Sequence, residues 1–256
     1  MKIKTIIFFL TLYNFCGAQV PDLTNWRIDT LPTGDRIYPA NHSQDNWIFS
    51  KSGDNWEIVR NNFMREKGDS FPFTPDFIDK NLKEIKENRF VKKTSDGYLV
   101  GLNKGEFGGG LYFIKSDGLD GYEMARYLNI HNIFEYNSKY FAIEGLAHLG
   151  GQRGQIIEIF KFDTVWKYKS FIRLVEAPEL ITDYNNEKII VTSQYILKFE
   201  KDFKVSEILK SPFYWGMLYP SSVLINKKDL YLAMRQGVLK IKSFDSSPEY
   251  EWYIPK

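Results

Sequence analysis

Residues 221–242, SSVLINKKDLYLAMRQGVLKIK, hold three short apolar runs separated by two polar turns, Lys227-Lys228 and residues 235–237. Runs of this length, rich in Val, Ile, Leu and Tyr and bounded by turn residues, are strands rather than helices. The middle run, LYLAM, is continuously apolar, as a strand covered on both faces must be. In the third run Leu239 and Ile241 alternate with Lys240 and Lys242, which suits a strand with one face toward water. The same unit returns at residues 180–199, LITDYNNEKIIVTSQYILKF, and at residues 132–162 with a longer second turn, NIFEYNSKYFAIEGLAHLGGQRGQIIEIFKF. It returns again at residues 89–115, RFVKKTSDGYLVGLNKGEFGGGLYFIK, and more weakly at residues 36–60, which include NWIFSKSGDNWEIVR.

The copies start near residues 36, 89, 132, 179 and 221, a spacing of roughly 42 to 53 residues that matches the four-stranded blade of a β-propeller. A fourth strand is available after most copies, at residues 122–128, 167–174, 205–210 and 250–254. The expectation is an all-β chain forming a single β-propeller of about five four-stranded blades over residues 19–256. Two points stay open. Thr74-Pro75 with Phe77, Ile78, Leu82 and Ile85 either begins a short amphipathic helix, Thr capping and Pro in the first turn, or residues 82–86 are the first blade's outer strand. Residues 26–29 and 250–254 compete for the outer position of the last blade, so one of them is expected elsewhere.

Upstream of the repeats, residues 1–18 carry Lys2 and Lys4, an apolar run over residues 6–12 and a small-residue end at Gly17-Ala18, the layout of a secretory signal peptide. Bulky Tyr13-Asn14-Phe15 before Cys16 does not suit lipid attachment there. Cleavage would remove Cys16, the chain's only cysteine, so stability must come from packing rather than disulfides. It would also remove two of the 34 basic residues, leaving them balanced against the 32 acidic ones, which gives no electrostatic basis for nucleic acid as a partner. No later run is long and apolar enough for a membrane-spanning helix. Export to the periplasm or medium is the expected address.

The run LYLAM, the turn Arg235-Gln236-Gly237 and VLKIK together resemble the blades of two-component-regulator sensor propellers and WD-repeat-like propellers, although the Gly-His and Trp-Asp signatures are absent. The strings GLNKGEFGGGLYF, FAIEGLAHLGGQRGQIIEI and FYWGMLYPSSVLINKKDLYLAMRQGVLKI are similar to a group of bacterial exported propeller-like proteins. That resemblance implies a fold and an address, and no activity.

In a four-stranded blade the second-to-third turn and the link into the next blade emerge on one face of the disk. Turns at residues 51–55, 103–110, 149–154, 193–194 and 235–237, and links at residues 129–131, 177–178 and 213–220, are assigned to that face. It should gather the ligand-binding candidates Glu106, Phe107, His131, His148, Arg153, Trp215, Tyr219 and Arg235, with Glu144 on or beside a second strand. Glu106 and Phe107 stand among glycines, and Trp215 and Tyr219 offer aromatic surfaces for stacking on a sugar ring. Their plainer readings are a wide hairpin and packing between blades. An ion pair joining Glu144 to Arg153, or Arg235 to Glu106, is equally compatible with a structural role.

Three histidines without ligand spacing and no mature cysteine predict no metal site, and nothing predicts another cofactor. No Gly-x-Ser-x-Gly elbow exists, and the glycine loop at residues 150–154 lacks a P-loop ending. The leading expectation is therefore a non-catalytic exported module binding a ligand, glycan or protein on its loop face. The alternatives are a small propeller hydrolase, lyase or cyclotransferase with a Glu/His acid–base, or an interaction protein with no small-molecule site.

Overall fold

The structure is a computed structural model and describes residues 20–53, 55–61, 67–70, 72–73 and 89–256. It is an all-β propeller whose strands form five sheets. The third blade runs Ile130–Tyr136, Lys139–His148, Gly151–Phe162 and Val165–Arg173, and the fourth Pro178–Tyr184, Glu187–Thr192, Tyr195–Phe199 and Val205–Lys210, each as an antiparallel meander. The second has Arg89–Lys93, Gly97–Asn103, Gly109–Lys115 and Gly121–Arg126, with the short parallel strand Lys67–Gly68 beside its first member. The first contributes one hairpin, Trp47–Ser52 with Asn55–Arg60. The segment around residues 74–88, where a helix or an outer strand was expected, lies outside the described residues.

Local chemistry explains the meanders. Tyr136 to Lys139 and Tyr184 to Glu187 are joined by Asn137-Ser138 and Asn185-Asn186, all four with positive φ between 48° and 61°. That is the mirror-image two-residue turn whose twist matches paired strands, and asparagine tolerates it best among non-glycine residues. The second strands are buried on both faces, with Ile189, Ile190, Val191, Leu230 and Leu232 all at 0% exposure, as their unbroken apolar runs require. Between the fourth and fifth blades Ile189, Leu209, Trp215, Leu232, Leu239 and Trp252 interlock, and between the third and fourth Phe134, Phe141 and Phe199 do so. Each such side chain contributes about 1.5–3 kcal/mol by leaving water.

The fifth sheet settles the competition for its outer edge. Glu249–Pro255 takes the fourth position because a short local turn connects it to Val238–Lys242. Trp26–Asp29 then pairs with the free edge of Glu249–Pro255 as a fifth strand, so both segments belong to this blade.

Two expectations for the first blade need correction. Residues 36–41 are not a strand: Gly34–Arg36 forms a 3-10 turn and Ile37–Asn41 a short helix, with Pro39 inside it unable to pair in a ladder. The hairpin also runs the other way. Asn46, next to the start of Trp47–Ser52, bridges Arg235 in the fifth blade's second-to-third turn. The hairpin turn after Ser52 therefore lies a full strand away, on the opposite face from the other assigned turns.

Candidate functional site

The loop-face end of the second blade is shaped by two asparagines. Asn103 closes its strand by accepting the Gly105 N–H at 3.0 Å, which starts the 3-10 turn Gly105–Phe107. Asn129, almost wholly buried in the link to the third blade, accepts the Lys104 N–H at 3.3 Å and donates to the Gly105 carbonyl at 3.0 Å. This loop is thereby fixed to the start of Ile130–Tyr136, whose second residue is His131.

A pair of glycines brings the fourth blade in close. Gly145 and Gly154 face each other across neighbouring strands. A side chain on Gly145 would fall 2.5 Å from the Pro178 ring, and one on Gly154 would fall 2.0 Å from the Glu176 carbonyl. With no Cβ at either position, the segment leading into Pro178–Tyr184 lies directly on these strands. Its next residue, Glu179, is brought opposite His131.

The result is a cavity of about 620 Å³, with Asn103, His131, His148, Gln152, Glu179, Tyr214, Met217 and Tyr219 among its lining residues. The His131 Nε2 lies 3.1 Å from the Gly145 carbonyl, to which it donates. In the neutral ring Nδ1 is then an acceptor, and it lies 4.0 Å from Glu179 Oε2, with the two side chains 14% and 20% exposed. The Asn103 amide nitrogen is within 3.3–3.4 Å of both ring nitrogens. Ser193 donates its hydroxyl to Glu179 Oε1 at 3.4 Å. On the far wall Gln152 donates to the Tyr214 hydroxyl at 3.1 Å. Burial pushes the Tyr214 phenol above its ordinary value, so it stays protonated at neutral pH. At the rim His148 Nε2 meets Glu106 Oε2 at 2.8 Å, joining the second and third blades through two half-exposed side chains. Among the described residues no lysine or arginine lines this cavity.

The sequence candidates divide accordingly. His131, His148 and Tyr219 line the cavity, and Glu106 reaches it through His148. Phe107 is 82% exposed in the same turn as Glu106, outside the lining. Glu144 is fully buried and bound to Arg153, to Gln155 Nε2 at 3.0 Å and to the Asn129 N–H at 3.3 Å, while Arg153 also donates to the Tyr127 carbonyl at 3.3 Å. Neither residue of that pair is among the cavity's lining.

Two candidates depart from expectation. Trp215 has no exposed surface and donates Nε1 to the Thr192 carbonyl at 2.7 Å, so its ring fills the gap between blades and is closed to a ligand. Arg235 does not pair with Glu106. Its guanidinium donates to the Asn41 carbonyl at 2.6 Å, to Asn41 Oδ1 at 2.9 Å and to Asn46 Oδ1 at 3.3 Å, and lies 4.5 Å over the Tyr219 ring. Among the described residues no three metal-ligating side chains cluster.

Sequence reasoning singled out none of Asn103, Gln152 and Glu179. A signal for Glu179 existed: it is the second residue of its blade's first strand, the register position of His131 one blade earlier.

No protein-family model and no curated protein matches the chain. Several solved structures are similar in part: a "putative 6-phosphogluconolactonase" from Bacteroides uniformis, at 12% identity and TM-score 0.45 over 65% of this chain and 57% of that one; a streptogramin B lyase, at 13% and 0.36 over 66% and 58%; and a thermostable family-43 glycoside hydrolase, at 11% and 0.32 over 60% and 67%. The chain spans less than two thirds of the first two.

Proposed function

We propose that this chain is an exported binding module that takes a hydroxyl-rich ligand, a glycan or free sugar, in the loop-face cavity. The observation that carries the reading is convergence: Asn103, His131, Gln152, Glu179 and Tyr214, drawn from three successive blades, present amide, imidazole, carboxylate and phenol groups to one space of about 620 Å³. Alternating donors and acceptors beside the edge of an aromatic ring suit hydroxyl groups, and the volume suits a ligand of a few rings. The signal-like residues 1–18 supply the exported address.

Ala147 lines the cavity without belonging to the buried core, so Ala147→Trp fills the space and leaves the blades intact. Calorimetric titration with maltotriose, cellotriose and N-acetylated chitotriose should show binding of at least one of them to the wild-type chain and none to this variant. Equal binding by both would move the site elsewhere.

A second reading rests on one contact. A carboxylate and an imidazole 4.0 Å apart and mostly withdrawn from water form an acid–base pair of the kind a small hydrolase or lyase needs. Breakdown of a bound saccharide, lost in both His131→Gln and Glu179→Gln, would favour this reading over simple binding.

A further inference from the structure

We infer that the ligand is a polymeric glycan, which continues out of the cavity across an apolar strip formed by Phe107, Tyr127 and Leu149; this rests on the glycan reading of the cavity. These side chains are 82%, 74% and 92% exposed. They stand in the turn Gly105–Phe107, in the link from the second blade to the third, and in the third blade's second-to-third turn. They are also neighbours in space. The Glu106–His148 contact of 2.8 Å joins the residues next to Phe107 and Leu149, and a Cβ on Gly108 would lie 3.1 Å from Tyr127 Cδ1. Leu149 also lines the cavity, so the strip begins at its mouth.

Backbone conformation sets Tyr127 and Leu149 apart. Both have positive φ, 61° and 48°, which a bulky side chain adopts at a cost and which Asn or Gly takes more easily. On the opposite face the strand turns give such positions to Asn137, Ser138, Asn185 and Asn186. Phe203 is also at positive φ, but its ring packs against Phe141 and Phe199. Tyr127 and Leu149, mostly in water, gain little such burial. Their residue types serve neither the turn nor the core, and strained apolar residues gathered on a surface point to a bound partner. A sugar ring carries hydroxyl groups on its edge and C–H groups on its faces. The cavity supplies amide, imidazole and carboxylate groups for the edge, and the strip supplies Phe, Tyr and Leu surfaces for the faces. Because the two meet at Leu149, one chain can use both, whereas a free mono- or disaccharide would sit in the cavity and leave the strip bare.

The test sets maltohexaose, cellohexaose and N-acetylated chitohexaose against their trisaccharides in calorimetric titrations of the wild-type chain. For the linkage that binds, the hexasaccharide should bind at least about tenfold tighter, since the four registers of a three-ring site along six rings account for only about fourfold. Phe107→Ser combined with Tyr127→Asn should bring that ratio down to about fourfold or below. Asn at a positive-φ position should leave the variant's urea midpoint equal or higher, which shows it folded. A wild-type ratio of about fourfold or less overturns the inference and leaves the glycan reading standing, as does a ratio that the double variant does not change. If hexasaccharide binding survives Ala147→Trp but is lost in the double variant, the cavity reading fails and the strip stands. A dimer in sedimentation, or binding to phosphatidylcholine–phosphatidylglycerol vesicles, lost in the double variant, gives the strip another occupant and overturns the inference. If no saccharide binds, both readings fall.

Discussion

Two seams on the loop face use charge in opposite ways. Where the fifth blade meets the first hairpin, Arg235 spends its guanidinium on Asn41, Asn46 and the face of Tyr219, while the Gln236 N–H donates to the Asp45 carbonyl at 2.7 Å and Phe49 N–H to the Ser222 hydroxyl at 2.8 Å. These polar contacts tie one blade to the next. Where the third blade meets the fourth, the backbones pack closely at Gly145 and Gly154 beside the interlocked Phe134, Phe141 and Phe199, and His131 and Glu179 line a cavity. On one loop face, then, charged side chains serve two places: Arg235 binds a seam, and Glu179 lines a cavity.

Framework and cavity residues should respond differently to substitution. Trp215→Ala should lower stability by about 3–5 kcal/mol, the range for truncating a fully buried large aromatic, whereas Tyr219→Ala, half exposed at the rim, should cost less than about 1 kcal/mol. Urea unfolding monitored by tryptophan emission and by circular dichroism measures both. Comparable losses would mean that the rim is part of the framework.

Next in size is Arg235→Ala. It strips three charge-assisted hydrogen bonds from the closing seam, an expected loss of about 1.5–3 kcal/mol, with ligand titrations unchanged. Glu179→Gln should do the reverse, weakening ligand binding while costing under about 1 kcal/mol of stability, because the isosteric amide still accepts from Ser193. A stability loss from Glu179→Gln equal to that from Arg235→Ala would show that both seams are held by side chains.

The blades were legible because strand burial writes itself into local pattern. LYLAM and KIIVT are apolar throughout since neighbouring sheets cover both faces, and the asparagine turns announce their own geometry. The cavity was legible only in part. His131 and His148 stood out as rare residues in predicted loops, while Glu179 looked like one acid among many, because its importance depends on Gly145 and Gly154 letting another blade approach. Trp215 misled for a related reason: an aromatic in a link segment reads as exposed until the partner surface that covers it is known. Arg235 and Glu106 were placed on the correct face, but nothing in a sequence reports that Asn41 would reach Arg235 first.

The finest test of the contrast between joining and facing charges comes from two other carboxylates. At Glu158, 7% exposed, burial pushes the carboxyl upward, but hydrogen bonds and charge from Lys169 at 2.8 Å and Lys139 at 3.3 Å outweigh it and the net direction is down. At Glu176, in the segment pressed against Gly154, burial again pushes the carboxyl upward, and the Thr192 hydroxyl, the Gln194 N–H and Lys210 do not offset it. The signs then follow from proton linkage. Glu158 binds its proton less readily when folded, so its contribution is present above the ordinary value of 4.5 and is lost as pH falls through its lowered value. Glu176 binds its proton more readily when folded, so stability declines as pH rises from 4.5 through its raised value, and the ionised form carries a cost at neutral pH. Glu158→Gln should therefore destabilise at neutral pH, with the deficit disappearing in acid, and Glu176→Gln should stabilise at neutral pH, with the gain disappearing in acid. Paired unfolding curves across this range measure both slopes. Slopes of the same sign would mean that Glu176 has a cationic partner as effective as the lysines beside Glu158, and the segment carrying Glu179 would then be held by charge as firmly as the seam at Arg235.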